Sequence, residues 1–493
     1  MYFIGYDLGS SSIKAALVDE NNNVIASTSY PDIELSINSP NPGWAEQNPD
    51  SWRDCTVQVT KKLLQKANVS GQEVISIGIG YQMHGLVILD EKLNVLRPSI
   101  IWCDSRAVET GKEILESVGI EKCQQHLLNT PSNFTFSKLR WVQVNESDLF
   151  KKIRWVVLPG DYLALKMTGK VFTTISGLSE GTLWDFKNNE PATFLLDHYY
   201  IPKEIIPEAL PTFGDQGQLT PEAAIELGIS AKARVGYRAG DQPNNALALS
   251  VLEPVEVAAT GGTSGAVYGV QDQNVFDPGS RVNSFAHVNH SKDQIRTGVL
   301  LCINGSGIQY RWAKSMTASQ SYENMEKVLS EIPIGSDGIS ILPFGNGAER
   351  MLENQNIGGQ LSGLDFNRHT PAHFYRASLE GIANAFQYGI EILNELGIPT
   401  LKLRVGNDNL FRSATFSQTV SNLCKAPIEV VKTTGAIGAA RGSAFGNGHF
   451  NSLKEAVGSD PIIKTYEPKH AEFEATEQTY QNWKYYLNKL LKK

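Results

Sequence analysis

Phe3-Ile4-Gly5-Tyr6-Asp7-Leu8-Gly9-Ser10-Ser11-Ser12-Ile13-Lys14-Ala15-Ala16-Leu17-Val18 reads as an apolar strand, a tight Gly/Ser turn and a second apolar strand. A counterpart stands in the second half of the chain: Val257-Ala258-Ala259-Thr260-Gly261-Gly262-Thr263-Ser264-Gly265-Ala266-Val267-Tyr268. Glycine lets backbone N–H groups approach an anion with no Cβ in the way. Several such groups in one turn, with hydroxyls beside them, form a concave anion site. Two turns facing each other can hold one nucleotide's phosphates across a cleft. The pair therefore points to a two-lobed phosphoryl-transfer enzyme.

The rest of the chain suits that reading. It has 493 residues, 41% hydrophobic and 19% charged, an ordinary globular composition with room for several domains. The net charge of −8 comes with scattered lysines and arginines, which argues against a nucleic-acid partner. No apolar run is long enough to cross a bilayer, and Asp7 interrupts the N-terminal apolar stretch, so neither a membrane span nor a signal peptide is expected. Cys55, Cys103, Cys123, Cys302 and Cys424 have no metal-ligand spacing, and the nine histidines are dispersed. A reduced, cytoplasmic setting fits.

Strand-like and helix-like runs alternate, the α/β pattern. The boundary is placed at Leu252-Glu253-Pro254, just before the second hairpin, and the two copies suggest a duplicated domain. This gives an N-terminal lobe over 1–252, a C-terminal lobe over 253–450 and a helical tail over 451–493. A long helix is expected from Pro371, with Ala377, Leu379, Ile382, Ala383, Phe386, Ile390 and Leu393 at helical spacing. The tail carries Tyr480, Trp483, Leu487, Leu490 and Leu491 on one face, best read as a helix capping the second lobe.

Candidate chemistry gathers at a few places. Asp7, between a buried-looking strand and a phosphate turn, either holds Mg²⁺ through water or stabilises the turn. Asp241, in Gly240-Asp241-Gln242-Pro243, stands where a helix begins. It is either a simple N-cap or a general base that takes a hydroxyl proton and aims the oxygen at phosphorus. Tyr81-Gln82-Met83-His84-Gly85 follows a strand expected over 75–80, and polar groups at strand carboxyl ends are where open α/β sheets bind ligands. Gln82 and His84 suit a polyol, although a lone histidine is more often structural. In Trp102-Cys103-Asp104-Ser105-Arg106, Asp104 and Arg106 bind hydroxyls or pair with each other. Trp44-Ala45-Glu46-Gln47 offers an aromatic for a sugar to stack on, or a loop anchored by a half-buried Trp.

Taken together, these stretches resemble the FGGY carbohydrate kinases. Asp7-Leu8-Gly9-Ser10 and Gly262-Thr263-Ser264-Gly265 look like the family's two phosphate motifs, and Gly240-Asp241 like its catalytic-aspartate motif. Gly359-Gln360-Leu361-Ser362-Gly363-Leu364, followed by His373-Phe374-Tyr375-Arg376-Ala377-Ser378-Leu379-Glu380, is similar to its second signature. Trp44-Ala45-Glu46-Gln47, Leu158-Pro159-Gly160-Asp161-Tyr162-Leu163, Lys166-Met167-Thr168-Gly169 and Gly181-Thr182-Leu183-Trp184 also look familial. The order and spacing carry the resemblance over almost the whole chain. Gln82-Met83-His84-Gly85, with Leu96-Arg97-Pro98 and the Trp102 stretch, is similar to members acting on D-xylulose rather than on glycerol.

The resemblance implies two actin-like, ribonuclease-H-like lobes with ATP and sugar in the cleft between them. It implies Asp241 as the base and Asp7 as a second acid acting through Mg²⁺. Sugar contacts carry over to Gln82, Met83, His84, Trp102, Asp104 and Asp241. Nucleotide contacts carry over to Gly9, Ser10, Ser11, Ser12, Gly262, Thr263, Gly307, Gln309, Gly406, Asn407 and Asn409. The expected reaction is ATP-dependent phosphorylation of D-xylulose, with ribulose, sedoheptulose or another polyol as alternative acceptors. A non-catalytic actin-like or sugar-sensing protein is the remaining alternative, and the resemblance is compatible with a homodimer. One departure stands out. Where the family has a Gly-rich turn under the adenosine, this chain has Gly406-Asn407-Asp408-Asn409-Leu410-Phe411-Arg412-Ser413, which predicts a bulkier and more acidic pocket floor.

Overall fold

Both hairpins form, and each sits at the centre of its own sheet. The computed structural model describes residues 1–458 and 460–491. In the first sheet β1 (Tyr2–Leu8), β2 (Ile13–Asp19) and β3 (Val24–Tyr30) run antiparallel in succession. β4 (Val74–Tyr81) and then β5 (Arg234–Gly240) add in parallel on the other side of β1, giving the order β5-β4-β1-β2-β3.

The second sheet repeats this plan. β6 (Val257–Gly261) and β7 (Gly265–Gln271) are the hairpin, flanked by β8 (Asn283–Ala286) and β9 (Thr297–Ile303). β10 (Leu403–Gly406) and β11 (Ile428–Val431) add in parallel, and β12 (Ile462–Tyr466) closes the edge. The order is β8-β9-β7-β6-β10-β11-β12. Its β9-β7-β6-β10-β11 core matches the first sheet strand for strand.

The hairpin strands are largely apolar because both their faces are mostly covered. Ile4, Tyr6 and Leu8 share a core with Trp52, Val59 and Leu63 of the helix Pro49–Ala67. The opposite face, with Phe3 and Val18, meets Ala440 and Ala444 of the helix Gly435–Gly446. That helix comes within backbone contact of the strands: a Cβ on Gly5 would lie 1.9 Å from the Ala436 carbonyl oxygen, and one on Gly78 1.9 Å from that of Ala439. A helix from late in the chain thus covers the sheet of its first half.

Most of the described tail is built into the second lobe, although Ala456 and Val457 pack on Tyr237, Ala239 and Leu247 of the first. The tail supplies the edge strand β12 and the helix Phe473–Leu491, whose Tyr480, Trp483 and Leu487 are buried with Leu379 and Phe386 of the helix Pro371–Glu395. The Trp483 indole N–H donates to the Ile341 carbonyl at 3.0 Å. Between the lobes lies a smaller apolar cluster in which Met83, Phe134 and Ala246 meet Ala258, Tyr268 and Phe285.

Candidate active site

The carboxyl ends of β1 and β5 present two acids to each other. Asp7 lies near the end of β1, and Asp241 opens the helix Asp241–Ala248 directly after β5. Gly240 takes the N-cap position and no side chain caps this helix, so the Asp241 carboxylate is not spent as a cap. Burial, and next the charge of Asp7, push Asp241 up to about 7. Burial also raises Asp7, partly offset by Lys14, whose Nζ lies 3.8 Å from Asp7 Oδ2. An acid poised near neutrality is what proton removal at neutral pH requires.

The pair suits a magnesium ion that keeps water and takes phosphate oxygens, since such an ion needs only one or two carboxylates. Among the described residues no group of three or more His, Cys, Asp or Glu side chains could form a protein-only metal cage.

The loop after β4 is held from three sides. Gln82 is buried; its Nε2 donates to Gln47 Oε1 at 3.3 Å, and Gln47 Nε2 donates to the Ser10 carbonyl at 2.7 Å. The loop is thereby tied to the turn of the first hairpin. Met83 is buried against Gly240, where a Cβ would meet Met83 Cγ at 2.6 Å and Glu180 Oε2 at 3.0 Å.

His84 adopts a left-handed backbone, φ 62°, a conformation that non-glycine residues hold only when pinned. Two bonds pin it. Lys138 Nζ donates to the His84 carbonyl at 2.7 Å and to that of Ile101 at 3.1 Å. The His84 ring donates from Nδ1 to the Glu180 carbonyl at 2.8 Å. A carbonyl can only accept, so the proton sits on Nδ1 and Nε2 is left as an acceptor. Burial, and then Lys138, hold the imidazole down to about 3, so it is neutral at working pH.

The other expected sugar contacts divide. Trp102 is half exposed, and its indole N–H lies 3.5 Å from Ser10 Oγ at the cleft mouth. Asp104 is fully buried and occupied: it accepts from Ala45 N at 2.6 Å and from the Arg106 backbone and guanidinium. Of the two options open for Asp104, pairing with Arg106 is the one the fold uses, which leaves it no free lone pair facing a substrate. The same guanidinium lies 3.7 Å from the centre of the Trp44 ring and pairs with Glu46 at 2.8 Å. Trp44 therefore stacks on an arginine.

Across the cleft a cavity of about 730 Å³ lies under the second hairpin, walled by Gly261, Gly262, Thr263, Gly307 and Asn409. The Gly307 N–H donates to the Gly262 carbonyl at 3.0 Å, which fixes a helix N-terminus beside the turn. Gln309 does not line the cavity, and its amide donates to Ser378 Oγ at 3.1 Å. Gly406 ends β10 and Asn407 follows it; neither lines this cavity.

Sequence reasoning did not single out Tyr310 and Tyr322, which stack at 5.5 Å on the wall of this cavity, nor Glu326, which accepts from Ser413 Oγ at 2.7 Å beside it. It also missed Glu180, buried next to Tyr81, whose carboxyl is held well above its usual range by burial, with Asp241 adding to the effect. Glu180 adjoins a recognised Gly-Thr-Leu-Trp stretch, but nothing in its spacing links it to Asp241. A second cavity, of about 840 Å³, lies among Leu252, His290, Arg404 and Leu453 and contains none of these residues.

The chain matches known proteins over nearly its whole length. Residues 2–248 match the N-terminal domain, and residues 257–445 the C-terminal domain, of the FGGY family of carbohydrate kinases. The chain is similar to the xylulose kinase of Bacillus subtilis, 31% identical with 92% of this chain and 90% of that one covered. It is also similar to that of Escherichia coli, 27% identical with 97% and 98% covered. The crystal structure of xylulose kinase from Rhodospirillum rubrum superposes with a TM-score of 0.90 at 26% identity, covering 99% of both chains.

Proposed function

Since the chain belongs to the FGGY family of carbohydrate kinases, we propose that it transfers the γ-phosphoryl group of ATP to the O5 hydroxyl of D-xylulose. The products are ADP and D-xylulose 5-phosphate. The observation that carries the reading is Asp241: a carboxylate free of capping duty, at the carboxyl end of β5 beside Asp7, pushed up to about 7. There it takes the O5 proton as the oxygen attacks phosphorus. His84 Nε2, the acceptor left by the Nδ1–H bond to Glu180, takes a hydrogen bond from a sugar hydroxyl. Met83 supplies an apolar wall. D-xylulose is preferred because the xylulose kinases match over nearly the full chain.

The nucleotide lies along the cavity under the second hairpin, with its phosphates between Gly262-Thr263 and the Gly9–Ser12 turn. Asp7 and the phosphates would hold Mg²⁺, which neutralises charge on the transferring group. Positioning and charge neutralisation make up most of what such a reaction asks of a protein.

A coupled kinase assay over D-xylulose, ribulose, sedoheptulose and glycerol at equal concentration, with ATP and with GTP, tests the substrate. An equal or higher rate on another sugar overturns the choice of D-xylulose. Asp241→Ala tests the base: turnover should fall by about 10³-fold or more, with sugar binding by calorimetry retained. Near-normal turnover would remove Asp241 from the role.

A further inference from the structure

One cation in the cleft has no counter-charge. Arg350 begins a short turn (Arg350–Leu352) on the second lobe, and no carboxylate lies within ion-pair distance of it among the described residues. Its Nη1 is buried with no hydrogen-bond partner. The guanidinium reaches the first lobe, with Cζ 5.8 Å from the centre of the Phe134 ring. That ring stands edge-on to His84 at 4.9 Å, and His84 in turn lies 5.6 Å from Phe285 of the second lobe. The Arg350 charge disfavours protonation of His84. Cys302, near the end of β9, lies within electrostatic reach of both Arg350 and Asp241. Phe134 shares its apolar cluster with Met83, which packs on Gly240 beside Asp241, so Arg350 and the base border the same stretch of cleft.

The neighbouring residue explains how this cation is held. Glu349 is fully buried and points the other way, accepting from the N–H groups of Asn304 and Gly305 at 3.0 Å each. Asn304 Nδ2 returns a bond to the Ala348 carbonyl at 2.8 Å. Asn304 and Gly305 lead from β9 into the Gly307 helix that abuts the phosphate turn. Met351 and Leu352 are buried in the second lobe's core. Arg350 is thus fixed to the nucleotide side of the cleft while its charge faces the sugar side.

We propose that Arg350 is a catalytic residue that contacts the transferred phosphoryl group between the two lobes, in the transition state and in the sugar-phosphate product. A partly desolvated guanidinium with no counter-charge is costly unless an anion arrives. The sugar is neutral. The transferring phosphoryl is the anion that passes between Asp241 and the second hairpin, and guanidinium groups bind phosphate oxygens in pairs. As the O5–P bond forms and the bond to the ADP oxygen breaks, charge spreads over the three equatorial oxygens, and a fixed cation beside them lowers the barrier.

The inference rests on the kinase reading above, and the test keeps the two apart. Wild type and Arg350→Gln are assayed on whichever panel sugar the wild type phosphorylates best, so a wrong choice of sugar shows in the wild type alone. With the fold verified by circular dichroism, kcat of R350Q should fall about 100-fold or more, as for loss of a transition-state donor. Binding of the sugar alone should stay within about threefold, and binding of the sugar phosphate should weaken at least about tenfold, as loss of a charged contact implies. The proposal is overturned if kcat stays within about threefold. It is also overturned if the sugar phosphate binds as tightly as to wild type, or if affinity for the unphosphorylated sugar falls as far as turnover. Should Gln not be tolerated, Arg350→Met keeps the stem against Phe134, removes the charge and is read by the same criteria.

Discussion

At Asp241 stability and activity pull in opposite directions. Its acid is raised from an ordinary 3.8 to about 7 by burial and then by Asp7. The native state therefore holds a proton that the unfolded chain has already released between roughly pH 4 and pH 7, and its contribution to stability is lost as pH rises through that window. Asp241→Asn removes the penalty. It should raise stability by roughly 1–3 kcal/mol at pH 8 and by little at pH 4, measured by urea unfolding at both pH values. For activity the sign is reversed, because the base must be ionised. kcat/KM should fall on the acid side with an apparent pKa near 7. Asp7→Asn should move that limb down by roughly a pH unit on the residual turnover, since it removes a like charge. An unmoved limb would mean another group sets it. The sequence offers Asp241 as an acid at a helix mouth, yet its coupling to Asp7 depends on two strands that only the folded sheet brings together. Asp104 shows the converse: its neighbour Arg106 was visible, but Ala45 N–H, which completes its occupation, was not.

Among the elements, the turn after β10 stands where the resemblance leads one to expect glycines. Asn409 holds φ 48° there, a value asparagine tolerates better than most residues, so the bend survives without glycine. Asp408 stands within electrostatic reach of Lys14 on the first lobe, beside the wall that Asn409 contributes to the nucleotide cavity. On the proposed placement of the nucleotide, a carboxylate here repels its phosphates. Asp408→Gly should lower KM for ATP by about three- to tenfold with kcat little changed, an effect of the size expected for removing one charge near a partly screened polyanion. An unchanged KM would place the nucleotide elsewhere. The strand–helix contact at Gly78 makes a different demand. With only 1.9 Å between a Cβ there and the Ala439 carbonyl oxygen, Gly78→Ala must force the Gly435–Gly446 helix off the sheet. The expected cost is about 3 kcal/mol or more, read as a fall in the unfolding midpoint at constant m-value.

For the whole molecule, the duplication was legible because each hairpin is a local pattern: apolar strand, Gly/Ser turn, apolar strand. The matching strand order β3-β2-β1-β4-β5 and β9-β7-β6-β10-β11 is the same statement made in space. The partners of distant helices were not legible. Gly435-Ala436-Ile437-Gly438-Ala439-Ala440 announces close packing by its small residues, but the surface it packs on was laid down at the other end of the sequence. Arg350 escaped notice for a related reason. An unpaired arginine is recognised by which carboxylates fail to reach it, and that is a property of the assembled cleft.

The covering helix also sets a timetable. On the ribosome, the strands carrying Gly5 and Gly78 emerge long before residues 435–446 exist. Through most of synthesis the first lobe must wait with one face of its sheet bare, and it closes only when the second lobe is nearly made. A fragment ending at residue 252 should accordingly aggregate or bind chaperones, and adding back the remainder of the chain in trans should restore solubility. The order in which the halves are translated is then part of how the catalytic cleft comes into being.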